Sequence, residues 1–431
     1  MYKRDPVLSL PGPDDILRQT LSNGITVLAR ENFTSPTVVV SGYLHTGAAD
    51  VPINGRDKIG LASFAADVLE RGTRKRSFAQ LYEEVESIAA NFGVNASTQT
   101  TGFGARGLIE HLPLLLDILS DTLRNPAFDK DQVEKVRAEI LTDIQERETS
   151  PHRMAALTFR ELAYPEDHPY HWSQTGYRET IERITRDDLV QFHETYFSPQ
   201  NAVIVIVGAI KATDAAQAVA TAFGDWQGSR PSQASLPLAP ALTQRLEQRL
   251  TIDDKAQSDL VLGWPGPART DPDFVPCFVT NTVLGVFGMY GRLGKIIRET
   301  NGLAYYVYSS IQGGTGPGPW RVIAGVNPTN VDKTVALIVL ELRRIRDMRV
   351  PEEELHDTQS YLTGSLPLQL ETNSGVAHAL LNIERHNLGL DYLQRYTDMI
   401  TTITPAQVQD VAERWLDPDH YALAIVDPAA S

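Results

Sequence analysis

The segment Gly60-Leu61-Ala62-Ser63-Phe64-Ala65-Ala66-Asp67-Val68-Leu69-Glu70-Arg71 sets two carboxylates, Asp67 and Glu70, beside the Ser63 hydroxyl. Leu61, Phe64, Ala65, Val68 and Leu69 recur at i, i+3, i+4, i+7 and i+8, the buried face of one helix, so the polar residues share the opposite face with Ala66. Serine and carboxylate oxygens suit hard cations, whereas zinc prefers imidazole nitrogen and thiolate. Two readings of this face stay open: a weak metal site, or a solvated acidic surface. The ten histidines offer little else. His168-Pro169-Tyr170-His171 is a His-x-x-His without a helical frame and reads as structural, while His378 and His386 have no acidic partner at ligand spacing. No Gly-x-Ser-x-Gly elbow occurs, and the only cysteine, Cys277, sits in an apolar run as a small buried hydrophobe. Serine and cysteine peptidase mechanisms therefore lack their nucleophiles.

A chain of 431 residues exceeds what one hydrophobic core usually organises, so two domains are expected. Internal similarity supports this. From Ile184-Thr185 a helical pattern leads through Leu189 and Phe192 to Pro199 and the strand 202–207; from Ile403-Thr404 it leads through Val408 and Val411 to Pro418 and the strand 421–426. The offset from Ile184 to Ile403 is 219 residues, which also aligns Glu194 with Glu413. The amphipathic helices 129–150 and 351–374 repeat at a comparable offset, each ending in a Glu-Thr turn. Residues 228–245 are rich in Pro and Ser at their start and read as an extended linker between domains 1–227 and 246–431. Alternating strands such as 26–29 and 37–40 mix irregularly with helices, which predicts an α+β class: two homologous domains, each an antiparallel sheet covered by helices. No phosphate loop or dinucleotide fingerprint is present. The net charge of −15 excludes a nucleic-acid partner and favours solubility or basic peptides. No run approaches the roughly 18 apolar residues of a membrane span, and the first residues lack a secretory stretch, so a cytoplasmic protein without a membrane partner is expected.

Gly60-Leu61-Ala62, Phe64 and Gly72-Thr73 match the frame Gly-Leu-Ala-His-Phe-x-Glu-His-Met-x-Phe-x-Gly-Thr, and the segment resembles the metal helix of the inverzincin peptidases: pitrilysin, insulysin and the mitochondrial processing peptidases. The resemblance puts Ser63 at the first His, Ala66 at the general-base Glu and Asp67 at the second His. The family's third ligand, a later Glu, falls at Asp143, 76 residues beyond Asp67. Ala66 cannot accept a proton, so even a metal held by Asp67, Glu70 and Asp143 would lack its base.

A second segment, Arg292 to Tyr305 with Val307 beyond it, closely resembles the family signature Ser-Arg-Leu-Phe-x-x-Val-Arg-Glu-Lys-x-Gly-Leu-Ala-Tyr-x-Val. The resemblance assigns Arg298 to gripping the substrate backbone and the Tyr305 hydroxyl to stabilising the tetrahedral intermediate, work that a guanidinium fork and a phenol donor suit. The bland alternative pairs Arg298 with a nearby carboxylate and starts a half-buried strand at Tyr305. The Gly-rich turn Gly285–Gly291 would let backbone approach a peptide, and 93–98 resembles the family's edge strand, with Asn95 and Ala96 as substrate-binding positions.

Together these features imply a non-catalytic, half-length subunit that encloses a peptide chamber with a zinc-bearing homologue. This chain is expected to bind no cofactor itself; zinc would reside in the partner. The alternatives are a homodimeric peptide-binding or scaffold pseudoenzyme, and a hydrolase using metal at Asp67 and Asp143.

Overall fold

The computed structural model describes residues 10–51, 53–232, 236–237, 239–286 and 291–429. Strands β1 (Leu17–Thr20), β2 (Thr26–Glu31) and β3 (Thr37–Leu44) precede helices α1 (Leu61–Leu69) and α2 (Phe78–Glu86). Strands β4 (Asn91–Ala96) and β5 (Thr101–Leu108) follow. Next come helices α3 (Leu112–Arg124), α4 (Lys130–Glu148), α5 (Pro151–Ala163), α6 (Arg178–Arg183) and α7 (Arg186–Tyr196). Strand β6 (Val203–Gly208) and helix α8 (Ala212–Phe223) close the first half. The second half runs β7 (Leu246–Ile252), β8 (Ser258–Pro265), α9 (Phe274–Gly285), β9 (Ala304–Ile311) and β10 (Pro319–Val326). It ends with α10 (Val331–Asp347), α11 (Glu352–Gln369), α12 (Asn373–Arg385), α13 (Tyr392–Thr401), α14 (Pro405–Trp415) and β11 (Ala422–Pro428).

The repeated segments fold alike for local reasons. Thr185 and Thr404 cap α7 and α14, their hydroxyls accepting from the N–H groups of Asp188 and Gln407, whose side chains reach back to complete the capping box. Pro199 and Pro418 stand three residues beyond each helix, where the chain cannot continue helical. The runs that follow, β6 and most of β11, are apolar and buried on both faces, as central strands must be.

Two sheets result, with strand orders β1-β2-β6-β3-β5-β4 and β7-β11-β8-β10-β9. The second order repeats the first without β1. Each sheet is antiparallel except for one parallel pair, β2 with β6 and β7 with β11. That exception arises because β6 and β11 return only after long helical crossovers, the connection a parallel pair requires.

The chain folds as two compact units: Met1–Leu141 with Gln174–Ser235 and Ser365–Tyr396, and Thr142–Ser173 with Leu236–Gly364 and Thr397–Ser431. Neither is a contiguous stretch of sequence. Helix α12, from the second half, covers β3 and β6 of the first unit; α5, from the first half, covers β8 and β11 of the second. Ala155, Phe159 and Ala163 of α5 bury against Val261, Ile323, Ala422, Ala424 and Val426. Within the first unit the start of the expected linker is pinned: Arg230 forms a buried ion pair with Asp50 at 2.6 Å.

In the second unit Tyr306 crosses the sheet. Its ring lies over Gly325, where a Cβ would come within 2.4 Å of it, and its hydroxyl donates to Asp259 two strands away. Asp259 is 4% exposed, and Gln257 also donates to it at 3.2 Å. His152 at the start of α5 places Nδ1 3.0 Å from the Tyr306 oxygen. Tyr306→Phe is expected to cost about 1–3 kcal/mol, the penalty for a buried acceptor that loses its donor. Chemical denaturation of the variant checks it.

In the first unit, His193 is half-buried, with Nε2–H donating to the Leu123 carbonyl at 2.9 Å and the ring against Phe197. Desolvation holds its pKa below 6.5. A depressed folded value means that its stabilising contribution is complete above the unfolded pKa and is lost as pH falls through the folded one. Stability measured from pH 7.5 to 5 is expected to fall less steeply in His193→Gln, whose amide can still donate to Leu123.

Candidate functional site

Helix α1 starts at Gly60, whose φ of +99° few side chains tolerate and whose Cβ position would meet Gly176 Cα at 2.9 Å. Leu61, Phe64, Ala65, Val68 and Leu69 are buried as their spacing demands. On the other face the Ser63 hydroxyl donates to the Gln174 carbonyl at 2.8 Å, and the Gln174 amide donates to Thr98 Oγ1 at 2.6 Å. Ala66 is 0% exposed, and Asp67 lies at the surface.

Glu70, at the end of the helix, turns toward the edge strand instead. Its Oε1 accepts from the Val94 backbone N–H at 2.5 Å, and its Oε2 accepts from the Tyr82 hydroxyl at 3.3 Å. Burial pushes the Glu70 carboxyl up, against the lowering effect of those two bonds. Asp143, in the second unit, is paired with Arg153 at 2.7 Å.

This donor set does not fit zinc. The Ser63 hydroxyl is committed to a carbonyl, position 66 is a buried methyl, and the Asp143 carboxylate faces a guanidinium. Among the described residues no group of three or more His, Cys, Asp or Glu could hold a metal ion. His168 is fully buried and accepts from the Tyr170 N–H at 3.1 Å, with Tyr164 and Tyr170 packed round its ring.

The second segment is built differently. Arg298 sits on a π-helical turn, Gly294–Thr300, anchored by the buried Leu293 and Ile297. π-Helical turns are rare and concentrate at functional sites. Arg292 fixes the same stretch through two 2.8 Å bonds to Glu354. The turn ends at Gly302, whose φ of +61° leads the chain directly into β9.

Arg298 is exposed and makes no ion pair among the described residues, so the pairing alternative is not realised there. Tyr305, at the start of terminal strand β9, is 63% exposed. Val307 and Ser309 on its face are buried beneath α9, where Asn281 Oδ1 accepts from the Ser309 hydroxyl at 2.5 Å and the Trp320 indole at 2.9 Å. The Gly285–Gly291 turn lies mostly outside the described residues.

Sequence reasoning placed Glu70 on the acidic face but missed its bond to Val94. A signal was available, since Glu70 stands where the quoted frame carries Phe. Asn281 gave no sequence signal, because a polar residue in an apolar helix does not name its partners.

The chain thus holds two repeated α+β units, and the face of α1 opposite its apolar stripe carries Ser63, Ala66 and Asp67. The family model "Insulinase (Peptidase family M16)" matches residues 26–167, and "Peptidase M16 inactive domain" matches residues 183–362. An uncharacterized zinc protease of Streptomyces coelicolor is 27% identical over 412 residues, covering 93% of this chain and 87% of that one. A probable mitochondrial-processing peptidase subunit beta of Arabidopsis thaliana is 24% identical, covering 95% and 78%. The solved peptidase M16 inactive domain from Pseudomonas fluorescens superposes with a TM-score of 0.89 at 22% identity, covering 97% and 98%. A protease from Helicobacter pylori does so at 0.88 and 19%, covering 97% and 100%. The chain belongs to peptidase family M16. No helix among the described residues is long and apolar enough to cross a membrane.

Proposed function

We propose that this chain is the non-catalytic subunit of a heterodimeric M16 peptidase, lending Arg298 and Tyr305 to a homologous subunit that carries the zinc. The observation that carries the reading is a contrast of availability. The side chains that would hold a metal are absent or engaged, while Arg298 and Tyr305 stand exposed on a firmly anchored turn and strand. In this reading the guanidinium holds a peptide carbonyl and the phenol donates to the oxygen that gains charge as the peptide bond is attacked. In this reading the edge strand β4, with Asn95 and Ala96, separately offers its backbone to an extended peptide. Relatives named as zinc proteases and as a processing-peptidase subunit support a role in peptide cutting.

Mixing tests it. Each subunit alone is expected to leave a fluorogenic peptide uncut, and activity is expected to appear on combining this chain with a half-length homologue bearing His-x-x-Glu-His. Cleavage by this chain alone, or a mixture no more active than its parts, would overturn the proposal. Size-exclusion chromatography of the same samples separates it from the homodimeric pseudoenzyme, which would form a dimer without the homologue.

A further inference from the structure

We propose that Glu70 is a built-in occupant of the β4 edge, which an extended peptide must displace to add to the sheet. Among the described residues strand β4 ends its sheet and pairs with β5 alone, in the register Gly93 to Gly104, Val94 to Phe103 and Asn95 to Gly102. Backbone groups of an edge strand alternate between partner and open side. The Val94 N–H reaches Glu70 instead of β5, which assigns Phe92, Val94 and Ala96 to the open side. An added strand would draw its bonds from these three residues. The middle donor is already taken.

The Glu70 carboxylate holds this position strongly. Its bond to Val94 is charge-assisted, roughly twice as strong as the neutral bond a peptide carbonyl could make. The Tyr82 hydroxyl braces the second oxygen, and the Tyr82 ring packs on Phe92 of the same edge, with centroids 5.7 Å apart. Carboxylate, phenol and strand form one closed unit, positioned by α1, α2 and β4. Glu70 is thus a residue that sets peptide affinity without taking part in bond cleavage.

The ligand class, an extended peptide, rests on the reading of the preceding subsection; the contact itself does not. The test uses the full chain alone, so its failure and the failure of the mixing experiment are separate results. The probe is a fluorescein-labelled Lys-Thr-Val-Thr-Val-Thr-Val-Lys peptide, followed by fluorescence anisotropy. Glu70→Ala is expected to bind it at least about tenfold more tightly than the native chain, the equivalent of removing one bond to a charged group. Glu70→Gln, which retains shape and a neutral acceptor, should fall between them and serves if the alanine variant folds poorly. Hydrogen exchange supplies a second readout: the Val94 amide should be protected in the native chain, exposed in Glu70→Ala and protected again by peptide. Equal affinities in all three proteins, or no binding to any, would overturn the proposal.

Discussion

Tyr305→Phe is expected to lower the peptidase activity of the mixed complex by about 10²–10³-fold, with little change in stability or assembly. Removing one preorganised donor to a developing oxyanion costs this much in kcat. On the proposed role the loss should fall on kcat more than on KM, because a donor to the developing oxyanion acts where charge appears in the transition state. Tyr305 is 63% exposed, so deleting its hydroxyl leaves no buried group unpartnered. Neighbouring Tyr306 provides the control. Its side chain faces the opposite side of the strand, toward Asp259, and its Phe variant should weaken the fold while sparing turnover at a temperature where the protein stays folded. An undiminished rate for Tyr305→Phe would remove Tyr305 from the site.

Asn281→Ala is expected to destabilise the second unit by about 2–5 kcal/mol, since it strips the acceptor from two buried donors at once. Trp320 is 1% exposed and Ser309 equally buried, so neither the indole N–H nor the hydroxyl can turn to water. The node ties α9 to β9 and β10, and β9 carries Tyr305. Mixed-complex activity should therefore fall with stability in Asn281→Ala. In Tyr305→Phe the two should separate. Denaturant melts run beside the peptide assay distinguish these patterns, and a native melt for Asn281→Ala would refute the role assigned to the node.

Periodicity disclosed which faces are apolar: Leu61, Phe64 and Val68 of α1 are buried, and so is Cys277. It also disclosed the duplication, which the matching strand orders of the two sheets display. It did not disclose that α5 and α12 each cover the sheet of the other half. An apolar helical stripe states that a face must be buried without naming the surface that buries it. Local propensity likewise did not separate the parallel pairs from the antiparallel ones, because pairing direction follows from the route of the chain between strands.

Residue identity alone states that positions 63, 66 and 67 offer a hydroxyl, a methyl and a carboxylate, since the atoms a side chain can offer are a covalent property. Tertiary structure alone decided that Asp143 meets Arg153, that Glu70 meets Val94, and that Arg298 and Tyr305 reach the surface. Hydrogen bonds and ion pairs act over about 3 Å, and only the folded backbone brings groups 24 residues apart, like Glu70 and Val94, within that range.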